Sequence, residues 1–155
     1  MPVARPLARA GGKTRLWAAL VLLACLGILG LAAWLEPDPR GYGTHQQLGF
    51  GKCGMLVTTG LPCPTCGMTT AFAYTVRGRL FQAFLAQPAG LLLALGTAIC
   101  ALGAIWVLVA GRLPPVRLPI LTPYRLFFGL LVLLLGSWIF KIVLGLLNGT
   151  LPEHT

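Results

Sequence analysis

The sequence predicts an all-α membrane protein with three transmembrane helices, an outward Cys-containing loop and an interfacial or re-entrant amphipathic helix. Three observations predict it. The 155 residues are 57% hydrophobic and only 10% charged, with a mean hydropathy of +0.84, well above a soluble domain of this size. Three apolar stretches are each long enough to cross about 30 Å of hydrocarbon as helices. The residues that carry chemistry crowd into the segment between the first two stretches.

Residues 1–15 form a basic tail with Arg5, Arg9, Lys13 and Arg15. The first span, 16–35, follows a basic stretch as a signal peptide would. It outlasts an h-region and lacks a small-x-small cleavage site before Glu36, so it reads as a retained helix. The second span covers 88–110 and the third 126–147, joined by a basic, Pro-rich stretch, 111–125, with Arg112, Arg117 and Arg125. Basic residues flanking spans mark the inner side. The N-terminus and the 111–125 loop are therefore expected inside, and 36–68 and the tail 148–155 outside. Arg40, Lys52, Arg77 and Arg79 are a diluted counter-signal. The net charge of +9 is spread over membrane flanks instead of forming one face, which excludes a nucleic-acid partner and leaves the lipid bilayer.

The outward segment opens with a loop, 36–68, rich in the turn-forming residues Gly, Pro and Thr. Residues 69–87 then place Phe72, Val76, Leu80 and Phe84 at four-residue intervals, an amphipathic helix interrupted near Gly78. It is expected to lie in the interface or dip into the membrane, with Arg77 and Arg79 facing headgroups. Lys141, the charge inside a span, lies about 9 Å from the helix end at Leu147 and is expected to snorkel. Gly27, Gly30, Gly129 and Gly136 point to close helix contacts, within the chain or with a protein partner.

Of the five cysteines, Cys25 and Cys100 fall inside spans and read as small hydrophobes. Cys53, Cys63 and Cys66 share one loop, with His45 eight positions before the first. Three chemistries fit. The three cysteines and His45 make a Cys₃His set for Zn²⁺, since a tight C-x-x-C turn presents both sulfurs to one ion. Cys63 and Cys66 can instead cycle between dithiol and disulfide, with the helix starting near Met68 favouring a thiolate. A disulfide from Cys53 to Cys63 or Cys66 can close the loop and leave one thiol over. The pair lacks a surrounding β-α-β pattern and a neighbouring acid or base, so the redox reading ranks second. The favoured function is a noncatalytic membrane scaffold or accessory subunit with a loop closed by disulfide or zinc. The alternative is a membrane-bound thiol redox protein using Cys63 and Cys66. The three acidic residues lie outside the spans, which disfavours a proton-coupled transporter, and no Ser/His/Asp set or phosphate loop is present.

The run from Cys53 through TGLPCPTCGMTTAF to RGRLFQAFLAQP resembles an uncharacterised family of small bacterial membrane proteins, a domain of unknown function, number 2752. Its pattern is a first Cys, then T-G-x-x-C-P-x-C-G-x-T-R, an amphipathic helix with a Gly, and an Asn-Pro before a span. Cys53, Cys63, Cys66, Gly67 and Thr69 match. Thr70 stands where the family usually has Arg, so any anion-binding or ion-pairing role of that Arg is missing or moved to Arg77 or Arg79, and Gln87 stands in the Asn place. The resemblance implies a bacterial inner-membrane location and no established activity.

Overall fold

The computed structural model describes residues 10–113, 123–149 and 151. The expectations placed on residues 1–9, on 114–122 and on most of the C-terminal tail, Arg5, Arg9, Arg117 and Glu153 among them, lie outside the described residues. The fold is all-α: α1 Gly12–Trp34, α2 Gly54–Thr59, α3 Met68–Val76, α4 Leu80–Ala86, α5 Pro88–Ala110 and α6 Pro123–Leu147, with a 3-10 turn at Thr44–Leu48. Three of these, α1, α5 and α6, are long and apolar enough to cross a membrane; at 1.5 Å per residue each spans about 34 Å or more.

Helices α1 and α5 run antiparallel. At one end the Ala10 N–H donates to Gly111 O at 2.8 Å and Arg15 Nη2 to Leu108 O at 3.0 Å. The seam between them is built on small side chains, with Cys25 and Ala32 buried on α1 and Ala94, Ala101 and Ala104 on α5. Small residues let two backbones approach where lipid removes the hydrophobic drive for association. The glycines do not do this job. A Cβ at Gly27, Gly30, Gly129 or Gly136 would meet no atom within 4 Å, so the expected close contacts fall on alanines within the chain. A close approach between helices does occur at Gly90, at the start of α5, where a Cβ would come 2.8 Å from that of Ala71 on α3.

Between α1 and α5 the chain folds into a compact module. The 36–68 stretch contains two short helical turns as well as loop. Gln47 holds the stretch at its start, accepting from Glu36 N–H at 3.0 Å and donating to Glu36 O. A buried hydroxyl pair, Thr44 with Thr70 at 2.8 Å, pins the 3-10 turn to α3. The amphipathic 69–87 stretch is α3 and α4, broken at Gly78, whose φ of 73° is left-handed. Ala71, Tyr74, Ala83 and Ala86 form the buried cluster between the two helices, with Leu91 of α5 against it.

Arg77, exposed at the C-terminal end of α3, also engages the end of α1. Its guanidinium donates to Ala32 O at 3.2 Å, Ala33 O at 2.9 Å and Ala73 O at 2.8 Å. The Ala32 and Ala33 carbonyls belong to the last turn of α1, which has no intrahelical donors and carries the negative end of the helix dipole, so a cation there answers both. Arg77→Gln is therefore expected to destabilise the protein by about 1 to 3 kcal/mol, the range for hydrogen bonds from a charged group. Arg79→Gln should stay within about 0.5 kcal/mol, as surface substitutions do. Thermal unfolding of both variants in the same detergent checks the contrast, and equal melting temperatures would remove the capping role.

Helix α6 joins the rest through its C-terminal part. Ser137 Oγ accepts from Ala89 N–H at 3.0 Å, which sets Ser137 level with the first turn of α5. The remaining turns of α6, about 15 Å of helix, run alongside the module, with Phe140 against Phe84 at 5.4 Å between ring centroids. Before that point α6 exposes Tyr124, Leu126, Phe127, Phe128, Leu131 and Val132, an apolar surface suited to lipid. Lys141 lies in the docked part and is buried, 8% exposed, so the expected snorkelling does not occur. The module sits beside the helix end, and the ammonium turns into it.

Candidate metal or thiol centre

The centre is built on the turn Cys63-Pro64-Thr65-Cys66. Proline in the second place has its φ preset for a tight turn, and Cys66 N–H closes it on Cys63 O at 3.0 Å. The sulfurs of Cys63 and Cys66 come to 3.0 Å, and the Thr65 hydroxyl lies 3.3 Å from Cys63 Sγ. Cys53 arrives from the other direction, at the residue preceding α2. The sulfurs of Cys53, Cys63 and Cys66 all lie within 4.8 Å of one another. Cys66 is buried and the other two half-buried, and all three are free thiols. His45, on the 3-10 turn, is not part of this cluster. Cys25 and Cys100 stand apart on α1 and α5.

The environments of the sulfurs differ. Burial pushes the Cys53 thiol up, but the N–H groups of Leu56 and Met55 and the thiols of Cys66 and Cys63 all favour its thiolate and bring it down to about 7. The Cys66 thiol is pushed far up, first by burial and then by its contacts with Cys63 and Cys53. A single site thus holds one easily ionised sulfur and one that stays protonated until something replaces its proton, which a thiophilic metal does.

Three side chains from distant elements grip alternate carbonyls of the turn. Trp138 Nε1 donates to Pro62 O at 2.8 Å, Gln87 Nε2 to Pro64 O at 2.9 Å, and Lys141 Nζ to Cys66 O at 3.0 Å. The Lys141 ammonium also donates to Gly41 O at 2.9 Å and Ala86 O at 3.0 Å, and it stands 5.2 Å from the centre of the Tyr42 ring. One nitrogen therefore ties together the loop, the cysteine turn, the end of α4 and α6. Gln87 is fully buried, and its Oε1 has no hydrogen-bond partner among the described residues. Beyond Lys141 a cavity of about 650 Å³ opens between the module and α6, with Arg40, Tyr42, Tyr74, Gln82 and Asn148 among its lining.

Gly67 is explained by this cage. Its φ is 91°, a conformation that side chains with a Cβ rarely adopt. A Cβ there would fall on the Lys141 ammonium and 2.5 Å from Gly41 O and 2.7 Å from Ala86 O. The glycine after the second cysteine is where the cage closes.

Sequence reasoning found the three cysteines and missed the residues that hold them. Ser137, Trp138 and Lys141 stand at i, i+1 and i+4 on an otherwise apolar helix. That spacing puts Trp138 and Lys141 three residues apart on adjacent turns of one face, which is the pattern of a docking face and was the available signal.

Residues 53–101 match the model of a family described as "Protein of unknown function (DUF2752)". The match starts at Cys53 and takes in the cysteine turn, α3, α4 and the first part of α5, so the resemblance to this uncharacterised family holds over that segment, while Trp138 and Lys141 lie beyond it. No curated protein and no solved structure matches the chain.

Proposed function

We propose that this chain is a noncatalytic integral membrane scaffold or accessory subunit whose cysteine loop is closed structurally, by Zn²⁺ or a disulfide, to present a rigid face to a protein partner. The observation that carries this reading is the convergence of Cys53, Cys63 and Cys66 within 4.8 Å in a module cross-tied to the long helices. A module with few large buried side chains gains most from a cross-link, because its own core contributes little. The three sulfurs carry the closure in either form, and His45 is left out of it. The basic flanks favour an inner bacterial membrane with the N-terminus inside and the cysteine loop outside.

The second reading, a thiol redox protein, is favoured by two observations: the 3.0 Å approach of Cys63 to Cys66 and the Cys53 thiol brought to about 7. In that reading Cys63 and Cys66 exchange electrons with a partner disulfide.

Counting free thiols and bound zinc on protein purified with and without reductant separates the two. The structural reading expects either one zinc per chain with shielded thiols, or one stable disulfide that resists glutathione. A Cys63–Cys66 disulfide that forms and opens reversibly with a glutathione buffer would sink the structural reading. Run on intact cells with an impermeant alkylating reagent after metal removal, the same count reads the side of the membrane. Labelling of Cys53 only after permeabilisation would overturn the orientation.

A further inference from the structure

We propose that Cys53, Cys63 and Cys66 form a three-thiolate site for one thiophilic closed-shell dication of the zinc class, and that Lys141 is the buried counter-cation of that anionic complex. The inference rests on the structural reading above and decides between its two forms, metal and disulfide.

The charge on Lys141 follows from geometry. Its nitrogen lies 2.9 to 3.0 Å from three carbonyl oxygens, and satisfying three acceptors takes three N–H groups. An ammonium has three donors and no acceptor, whereas a neutral amine would turn a lone pair on one of the carbonyls. A positive charge is thus held at 8% exposure. Hydrogen bonds satisfy its donors but leave its charge, and a buried charge without a counter-charge is unfavourable. Among the described residues no carboxylate forms an ion pair with it. The ion pair among the described residues joins Asp38 to Arg40 at 2.8 Å. What the ammonium does touch is the cysteine turn itself, through Cys66 O at 3.0 Å.

The two closures differ in what they offer this ammonium. A disulfide forms with loss of two protons and two electrons to an oxidant and is neutral, leaving at most the third thiol to compensate Lys141. Metal capture exchanges protons only. Three thiols and one M²⁺ give a metal bound through three M–S bonds and release three protons, and the complex carries one negative charge against the one positive charge of Lys141. The shape agrees. Sulfurs at about 2.3 Å from a tetrahedral zinc stand about 3.8 Å apart, and the observed separations of 3.0 Å and up to 4.8 Å bracket that value. Three thiolates leave a fourth position of a tetrahedron. Gln87 is anchored on the same turn through Pro64 O, and its buried Oε1 has no partner among the described residues.

The test uses full-length protein in detergent, reduced and stripped of metal under anaerobic conditions. Zn²⁺ is titrated by competition with a chelator, and Cd²⁺ is titrated by following its thiolate charge-transfer absorption. One ion per chain is expected, with an absorption intensity of three thiolates. Lys141→Met and Lys141→Gln should each lower metal affinity about tenfold to a hundredfold, the usual effect of a residue that supports the ligands, while Lys141→Arg, which keeps the charge, should recover part of it. If Lys141→Met fails to fold, Lys141→Gln retains a donor to the carbonyls and gives the same reading. A melting temperature that falls in the neutral variants with unchanged Cd²⁺ affinity would make Lys141 purely structural and overturn the counter-cation. A wild-type chain that takes up no metal at micromolar concentration when reduced, and carries a stable disulfide when oxidised, would overturn the metal site while leaving the structural reading standing. Reversible turnover of the disulfide would overturn both.

Discussion

Alanine in place of Gly67 is expected to prevent the cysteine module from folding, the largest effect of any single methyl group added to this chain. Two penalties coincide there. The backbone at φ 91° disfavours any residue with a Cβ, at about 1 to 2 kcal/mol. The added carbon also lands on the Lys141 ammonium and against two of its three carbonyl acceptors, Gly41 O and Ala86 O. Relieving that clash means opening the cage, which leaves a buried ammonium and three carbonyls without partners. Breaking a buried network of this kind costs about 4 kcal/mol or more. The matched control is Gly78→Ala. Its φ of 73° is also left-handed, but the space around it is open, so only the backbone penalty applies and a loss of about 1 kcal/mol is expected. Yield of monodisperse protein and melting temperature, compared for the two variants, decide the matter. Equal losses would mean that backbone conformation alone fixes Gly67 and that the cage adds nothing.

The contrast between those two glycines shows what kind of information sequence carries here. The three spans were legible because apolar length is a property of a contiguous stretch. The interruption of the amphipathic stretch at Gly78 was legible for the same reason, and so was the tight turn, since Pro64 and Gly67 act locally. Lys141 was misread because its distance to the helix end was measured along α6 alone, as if only headgroups waited there. The module that folds down beside α6 brings carbonyls to the ammonium instead, and that is a long-range fact. The α1 partners of Arg77, Ala32 and Ala33, were out of reach of sequence reading for the same reason, being more than forty residues away. His45 entered the candidate ligand set by proximity in sequence; it sits on the 3-10 turn, and the cluster gathers only the sulfurs among the described residues. The small-residue seam was anticipated in kind but placed on glycines, whereas the alanines of α1 and α5 carry it. A polar group on an apolar helix marks a tertiary partner, and Ser137, Trp138 and Lys141 were three such marks in five residues.

Serine at each of the three cysteines in turn is expected to separate structural closure from redox chemistry by the pattern of losses. If the sulfurs act as one ligand set, Cys53→Ser, Cys63→Ser and Cys66→Ser should each weaken metal binding by about a hundredfold or more, since losing a ligand exceeds the tenfold to hundredfold effect of a supporting residue. Each should also make the 36–62 stretch more sensitive to protease, because the loop loses its closure. If instead Cys63 and Cys66 form a redox pair, Cys53→Ser should leave their disulfide exchange intact while either of the other two abolishes it. The ionisation of the sulfurs adds an independent check on the reduced, metal-free protein. The Cys53 thiol is held near 7, below its ordinary value, so its thiolate forms at lower pH than a free cysteine's, and alkylation should rise steeply between about pH 6 and pH 8, following the thiolate fraction. Cys66, pushed up by burial and its neighbouring thiols, should stay slow over that window. Adding Zn²⁺ should then protect all three at once, since coordination withdraws charge from a thiolate and lowers its nucleophilicity. Protection of Cys63 and Cys66 with Cys53 still reactive would show that the first cysteine is not a ligand, and the three-sulfur closure would fail on that result alone.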